Sequence, residues 1–352
     1  MPFLKTFLVS LVGGYILSLL HAPLPWTLGP IAAVSLMGLV KKSPMVWSVR
    51  IRNMAQILLG YSMGRSFSQE TLQTILSHLP LMLSATLVTV SVGILTAWLM
   101  YRKTGISFTS CLLGCVPGGL SQMVILASEI KDADLTAVTI MQTIRMLSVV
   151  FTIPFLTIHF LAEKGHGDFD AIAHGVSGGA TSETILVFAG VAVLGALLGK
   201  LLHFPTATLL GPILSTAVYT VYSGDTAPAA PLIYLNGAQI CVGAYIGSSI
   251  DLAKITGYHG MGPALIGGLF LVLLASMGMG AVVSFLTDAT FATAFLSTAP
   301  GGLTEMGITA LVVGADISTM TAYQLTRLLF IMMVFPTIAK TIVKFHHRRN
   351  PT

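Results

Sequence analysis

Charge is scarce in this chain. Asp, Glu, Lys and Arg make up 9% of 352 residues, against about 25% in a soluble domain. So few charges cannot coat a surface that faces water on every side, which excludes the soluble globular class. Thiols are also few. Cys111, Cys115 and Cys241 include no C-x-x-C pair, which argues against a disulfide scaffold, a zinc centre or a dithiol redox site. There is no basic nucleic-acid footprint, because the excess of five positive charges is spread over the ends of apolar segments. The one dense basic run, "KFHHRRN" at 344–350, reads as a cytoplasmic end beside a final span. Imidazoles are scattered at His21, His78, His159, His203 and His259, and no metal-ligand spacing emerges, so no cofactor is expected.

What fills the chain is apolar sequence, 54% of the residues, with a mean hydropathy of +0.86. The opening "MPFLKTFLVSLVGGYILSLLHAPLP" has the look of a signal peptide. It lacks a convincing small-residue cleavage site and its pattern returns later, so it reads as a retained first span.

That return is part of a duplication. "LLHAPLPWTLGPI" (19–31) reappears as "LLHFPTATLLGPI" (201–213), and "RNMAQILLGYSMGRS" (52–66) as "LNGAQICVGAYIGSS" (235–249). Pro117-Gly118-Gly119-Leu120 reappears as Pro300-Gly301-Gly302-Leu303, a spacing of 183. After a one-residue slip, Asp134, Thr139, Gln142, Arg145 and Pro154 match Asp316, Thr321, Gln324, Arg327 and Pro336 at 182. The chain therefore divides into repeat 1 (1–161), a polar, Gly-rich linker (162–183), repeat 2 (184–345) and a basic tail (346–352). Each repeat holds six apolar segments, the fifth interrupted by Pro-Gly-Gly.

Loop charge suggests how the repeats are inserted. Lys41, Lys42, Arg50 and Arg52 flank one loop of repeat 1, while its counterpart at 223–231 has Asp225 and neither Lys nor Arg. Arg102 and Lys103 likewise face Asp288, and the loop at 67–79, without Lys or Arg, faces one holding Lys254. Cytoplasmic loops favour Lys and Arg, so the repeats read as inverted, each with an odd number of crossings. One segment per repeat then fails to cross. The Pro-Gly-Gly segment, as a re-entrant hairpin, and the short second segment are the two options, and the sequence leaves both open.

Inverted repeats with interrupted helices are the build of secondary transporters. Proline removes an N–H and glycine weakens a helix. Pro117, Gly118, Gly119 and Pro300, Gly301, Gly302 therefore free backbone groups and start fresh helix N-termini, followed by Ser121-Gln122 and Thr304-Glu305. Such N-termini attract anions. A plain kink packed against its neighbours is the bland alternative. In the sixth segments, Thr136, Thr139, Gln142 and Arg145 recur every three residues, as do Ser318, Thr321, Gln324 and Arg327, which reads as a polar helix face. Each arginine lies eleven residues from its aspartate, about 16 Å along a helix and near the midplane of a ~30 Å core. An arginine at that depth needs a partner or water. Either a structural ion pair with Glu305 or a bidentate clamp for an anionic solute fits. Glu305 can carry a coupling proton or act as a hydrogen-bonded structural group. Asp134 and Asp316 fit helix N-caps. Asn53, Gln56, Asn236 and Gln239 either line the same cavity or hold helices together. Their Gly60/Gly64 and Gly243/Gly247 neighbours form G-x-x-x-G close-packing pairs.

The "PGGLSQM" and "PGGLTEM" blocks, the Q-x-x-R after each, and the "LLH-x-P…LGP" openings resemble the membrane AbrB family, over nearly the whole chain. The resemblance implies a duplicated membrane domain, a fold similar to the cation–proton antiporter and anion transporter group, and an association with regulation of gene expression. The family is also labelled ammonia monooxygenase-like. This chain departs from symmetry at Gln122, the counterpart of Glu305.

The resulting expectation is an all-α polytopic protein of the bacterial cytoplasmic (inner) membrane with both termini cytoplasmic. Each of its two inverted repeats has about five spans plus a broken or re-entrant helix. It is not an enzyme and moves a small, anionic organic solute, with proton coupling through Glu305. An indirect role in gene regulation is the alternative. Its partners are the lipid bilayer, the solute and, as one assembly, a second copy; none is nucleic acid.

Overall fold

Apolar sequence with its backbone donors and acceptors in lipid has to satisfy them within each segment, which favours helix over open sheet. In the computed structural model, residues 2–20, 22, 24–41, 45–130, 132–161, 182–204, 206–223, 227–250 and 261–349 are described, and they contain helices and no strand. Pro23, His21 and Pro205 of the repeated opening lie outside the described residues. So do Lys42, Asp225, Lys254, His259, the linker at 162–181 and the tail end at 350–352.

The helices of repeat 1 are α1 (Pro2–Leu19), α2 (Pro25–Lys41), α3 (Val49–Gly64), α4 (Gln69–Ser77), α5 (Leu79–Thr104), α6 (Phe108–Cys115), α7 (Leu120–Glu129) and α8 (Leu135–Leu156). A π-helical turn, Thr157–Leu161, extends α8 just after Pro154. Repeat 2 supplies α9 (Ser182–Leu201), α10 (Ala207–Ser223), α11 (Leu232–Ser249), α12 (Gly262–Leu286), α13 (Phe291–Thr298), α14 (Leu303–Val313), α15 (Ile317–Met333) and α16 (Phe335–Arg349).

Among the described residues four helices are long and apolar enough to cross a membrane: α5, α8 with its π turn, α9 and α12. A fifth crossing results if α15 and α16, bent by 48°, form one span. The protein is a multi-pass, all-helical membrane protein. The count is below five per repeat because α1, α2, α3 and α10 have 16 to 18 residues, roughly 24–27 Å at 1.5 Å per residue. The Pro-Gly-Gly breaks also divide the fifth segments into pieces of 8 and 10, and 8 and 11, residues.

The helices group into two compact units. The first comprises residues 1–76, 154–253 and 303–321. In it α1 packs on α2 and α9 on α10, while α2 crosses α11 and α3 crosses α10, so each repeat's second helix meets the other repeat's third. Close backbone approach explains the paired glycines. A Cβ on Gly60 would lie 2.5 Å from the Leu209 carbonyl oxygen, and one on Gly243 would lie 2.6 Å from that of Thr27. Gly64 and Gly247 similarly face Ile213 and Ile31. Pro212 and Pro30 then lie against Gly60 and Gly243. The glycines before those prolines, Gly211 and Gly29, press on Gly195 and Gly13 of the preceding helices. The G-x-x-x-G pairs are thus helix-crossing points, with small residues doing the work that apolar burial cannot do in lipid.

The second unit comprises residues 77–153, 254–302 and 322–352. α5 packs along α12, and α6 and α13 each lie against the long helix before them. Its core joins Leu112, Leu113, Val116, Met123, Val138 and Met141 of repeat 1 with Ile331, Phe335 and Ala339 of repeat 2.

Candidate functional site

The two breaks are built alike. Ser107 caps α6 by accepting from the Ser110 N–H at 3.2 Å, and Thr290 caps α13 by accepting from Thr293 at 3.3 Å. Both helices stop after eight residues at extended Val116 and Ala299, ahead of the prolines. The Gly118 N–H then donates to the Val116 carbonyl at 2.8 Å, and Gly301 to Ala299 at 2.9 Å, folding each proline into a tight turn. Helix resumes at Leu120 and Leu303.

The sixth-segment helices close the breaks. Asp134 accepts from the Thr136 and Ala137 N–H groups at 2.8 and 3.2 Å, and Asp316 from those of Ser318 and Thr319 at 3.0 and 3.3 Å, so both aspartates are N-caps. From α8, Gln142 donates to the Leu113 and Val116 carbonyls at 2.7 and 3.0 Å. Arg145 Nη1 donates to Val116 at 2.8 Å and Nη2 to Gly118 at 3.2 Å and to Gln142 Oε1 at 2.8 Å. From α15, Gln324 donates to Leu296 and Ala299 at 2.7 and 2.9 Å. Arg327 donates to Ala299 at 2.6 Å, to Gly301 at 3.0 Å and to Gln324 Oε1. A broken helix frees carbonyls that lipid cannot satisfy, and each Gln–Arg pair supplies the missing donors.

This redirects the reading of the arginines as a bidentate clamp. Their forks grip backbone oxygens, and the cation remains at the site without a carboxylate from its own unit. The unit's acids, Glu129, Asp132, Asp134 and Asp288, are all exposed, and Glu129 pairs with Lys340 at 2.9 Å. Arg327 is 8% exposed. Both guanidiniums belong to the second unit, so two like charges share it.

The remaining sequence-predicted residues divide between the units. Pro117, Gly118, Gly119, Gln122, Gln142, Arg145, Pro300, Gly301, Gly302, Gln324 and Arg327 belong to the second unit. Gln122 donates to Met332 Sδ at 3.2 Å, and its buried Oε1 has no partner. The side chain of Ser121 lies outside the described residues. Thr304, Glu305, Asn53, Gln56, Asn236 and Gln239 belong to the first unit. Glu305 is 7% exposed in the first turn of α14, where a carboxylate favours the free N–H groups. Gln56 accepts from Thr208 at 2.8 Å and Gln239 from Thr27 at 3.3 Å, both across helix crossings. Asn53 accepts from Arg52 at 2.7 Å, and the Arg52 guanidinium lies over the Tyr245 ring. Gln56 and Gln239 are therefore ties between helices.

The single polar face expected from the three-residue stripe does not hold in α8. Three residues fall about 60° short of a turn, so three such steps rotate Thr136 away from Arg145. Thr136 is exposed while Gln142 is 1% exposed. In α15, Ser318, Thr321, Gln324 and Arg327 are all buried. The carbonyl partners of the arginines are absent from the sequence reading, because a backbone acceptor leaves no residue-type signature. The proline that frees it was the available signal.

Comparison with known proteins adds two relatives of matching length. The chain is 27% identical to the "Uncharacterized protein YhjN" of Bacillus subtilis (strain 168), over 97% of this chain and 93% of the relative. It is 28% identical to the "Putative regulator AbrB" of Escherichia coli (strain K12), over 94% of this chain and 93% of the relative. The family described as "Transition state regulatory protein AbrB" matches residues 3–343. The chain belongs to the AbrB family.

Proposed function

We propose that this protein is a secondary transporter of a small anionic organic solute in the bacterial cytoplasmic membrane, built from two inverted repeats with both termini cytoplasmic. It acts without a cofactor and catalyses no covalent chemistry. The observation that carries the reading is a pair of guanidiniums bound to backbone carbonyls at two helix breaks, Arg327 buried and Arg145 partly buried, in a unit whose own acids are all exposed. Buried cations in a membrane interior are costly unless compensated. A solute carboxylate arriving at the breaks would supply that compensation, and its departure would restore the cost, which suits release. Broken helices in matched positions of two repeats are where transporters hold their substrates. Glu305, at the fresh N-terminus of α14, is the carboxyl available for proton coupling.

The test is uptake by reconstituted vesicles. Gradient-driven accumulation of labelled short organic anions is expected, falling strongly in Arg145→Gln and Arg327→Gln. Absence of any gradient-dependent uptake across an anion panel would reject the reading. A second reading, indirect control of gene expression, is favoured by the name of the Escherichia coli relative, a putative regulator. It requires a cytoplasmic partner; deletion of 345–352 with the regulatory phenotype intact would count against the tail as that contact. Labelling of single cysteines at 41–50 and at 223–231 from opposite sides tests the inversion, and cross-linking in membranes tests for a homodimer.

A further inference from the structure

The two arginine sites are related by the duplication, and a cavity opens beside Arg145. It has a volume of about 40 Å³ and is lined by α5, α6, α8 and α12, with Thr96, Gly114, Met141, Arg145 and Ser148 on its wall. That is room for about three waters. The duplication places other side chains at the corresponding positions of repeat 2. At the spacings of 183 and 182 residues, Thr96, Gly114, Met141 and Ser148 correspond to Met279, Ser297, Tyr323 and Phe330. Every one of those four positions carries the larger side chain in repeat 2. Next to Arg145, Thr96 on α5 and Ser148 on α8 are the small side chains that border this space. Gly114 is filled to contact by Met141, which leaves Thr96 and Ser148 as the small residues bordering the space.

Arg145 also differs from an arginine whose donors are all satisfied. Its two terminal nitrogens serve the break, while its Nε–H is buried and without a partner. A cationic donor buried without an acceptor is unfavourable. Apart from Thr96, Ser148 and Cys115, the rest of the lining, Met141, Ile144, Leu265 and Leu269 among it, is apolar. Arg145, with the hydroxyl side chains of Thr96 and Ser148, on a wall of this volume suits a ligand with one anionic head and one or two carbons.

We infer that the Arg145 cavity is the binding subsite of the proposed transporter and that it takes short monocarboxylates of two to three carbons, with repeat 2 contributing structure rather than a second subsite. The inference rests on the transport reading but specifies the ligand class and the half that binds it. Ser148 and Thr96 are the residues whose size sets the ligand's length.

The test uses the full chain in nanodiscs of phosphatidylethanolamine and phosphatidylglycerol, following the melting midpoint during titration with sodium formate, acetate, propionate and hexanoate. Acetamide is the neutral isostere, and sodium chloride matches the ionic strength. Acetate and propionate are expected to raise the midpoint saturably, and acetamide to have no comparable effect. Ser148→Phe and Thr96→Met, which install the repeat 2 residues from two different helices, are each expected to weaken the apparent affinity for acetate by about tenfold or more. A cooperative melt in either variant suffices for the comparison. The inference is overturned if neither carboxylate shifts the wild-type midpoint, if acetamide matches acetate, if affinity climbs through hexanoate, or if both variants bind as the wild type does. Binding unchanged in the variants alongside intact uptake would remove this subsite and leave the transport reading standing. Binding as expected with no uptake would do the reverse.

Discussion

The Arg145 guanidinium donates through Nη1 to the Val116 carbonyl, 29 residues earlier in the chain, at 2.8 Å. Arg327 makes the matching bond to Ala299 at 2.6 Å. In both cases the acceptor is the carbonyl just before the Pro-Gly-Gly. The arginine and the proline are therefore one device: the proline breaks the helix, and the arginine stabilises the broken end while leaving a positive charge beside it.

Replacement of either arginine should separate these two roles. Arg145→Gln removes charge and reach together, takes the side-chain donor from the Gly118 carbonyl and one of three donors from the Val116 carbonyl, and should destabilise the protein by roughly 1–3 kcal/mol. Arg145→Lys retains the charge but cannot span Val116 and Gly118 with a fork. Thermal unfolding in detergent should therefore rank wild type above Lys above Gln. Equal stability of all three would remove the bracing role.

Gly60 and Gly243 should tolerate no Cβ. Each alanine would be built within 2.6 Å of a carbonyl oxygen on the crossing helix, so Gly60→Ala and Gly243→Ala should lower the melting midpoint by amounts matching about 1–3 kcal/mol. Gly237 on α11 has no heavy atom within 4 Å of a built Cβ. Gly237→Ala should be neutral or stabilising by up to about 1 kcal/mol.

The Gln56–Thr208 contact crosses from α3 to α10. A double-mutant cycle of Gln56→Leu and Thr208→Val should yield a coupling of about 0.6 kcal/mol, the usual worth of such a bond between membrane helices. Uptake in the reconstituted assay should change no more than stability does. A selective loss of solute affinity in Gln56→Leu would return that residue to the binding site.

Asp316 accepts from the Ser318 and Thr319 N–H groups and also from both hydroxyls, at 2.6 and 2.5 Å. Asp316→Ala should cost about 1–2 kcal/mol, with Asp316→Asn losing less because it can still accept at the cap. Circular dichroism melts of the three proteins provide the comparison.

Glu305 is the place to look for coupling. If its carboxyl carries the proton, Glu305→Gln should abolish accumulation driven by a pH gradient and leave downhill exchange of the anion. Retention of pH-driven accumulation would assign Glu305 a structural role at the start of α14.

The membrane class, the duplication, the places where helices end and the capping aspartates were legible in the residues. Composition, a 182- to 183-residue repeat, Pro-Gly-Gly and an aspartate before an apolar run are all local signals. The polar stripe was misjudged in α8 because a three-residue step only approximates one helix turn, and Thr136 and Arg145 point apart. Where Arg145 and Arg327 place their donors depended on the chain folding back across 26 to 29 residues onto backbone oxygens. Any residue type can offer such an acceptor, so the sequence carries no mark of it. The Arg145 cavity is of the same kind. Four of its positions carry smaller residues than their repeat 2 counterparts, which an alignment of the two repeats shows, but they become a space only when the helices converge on Arg145.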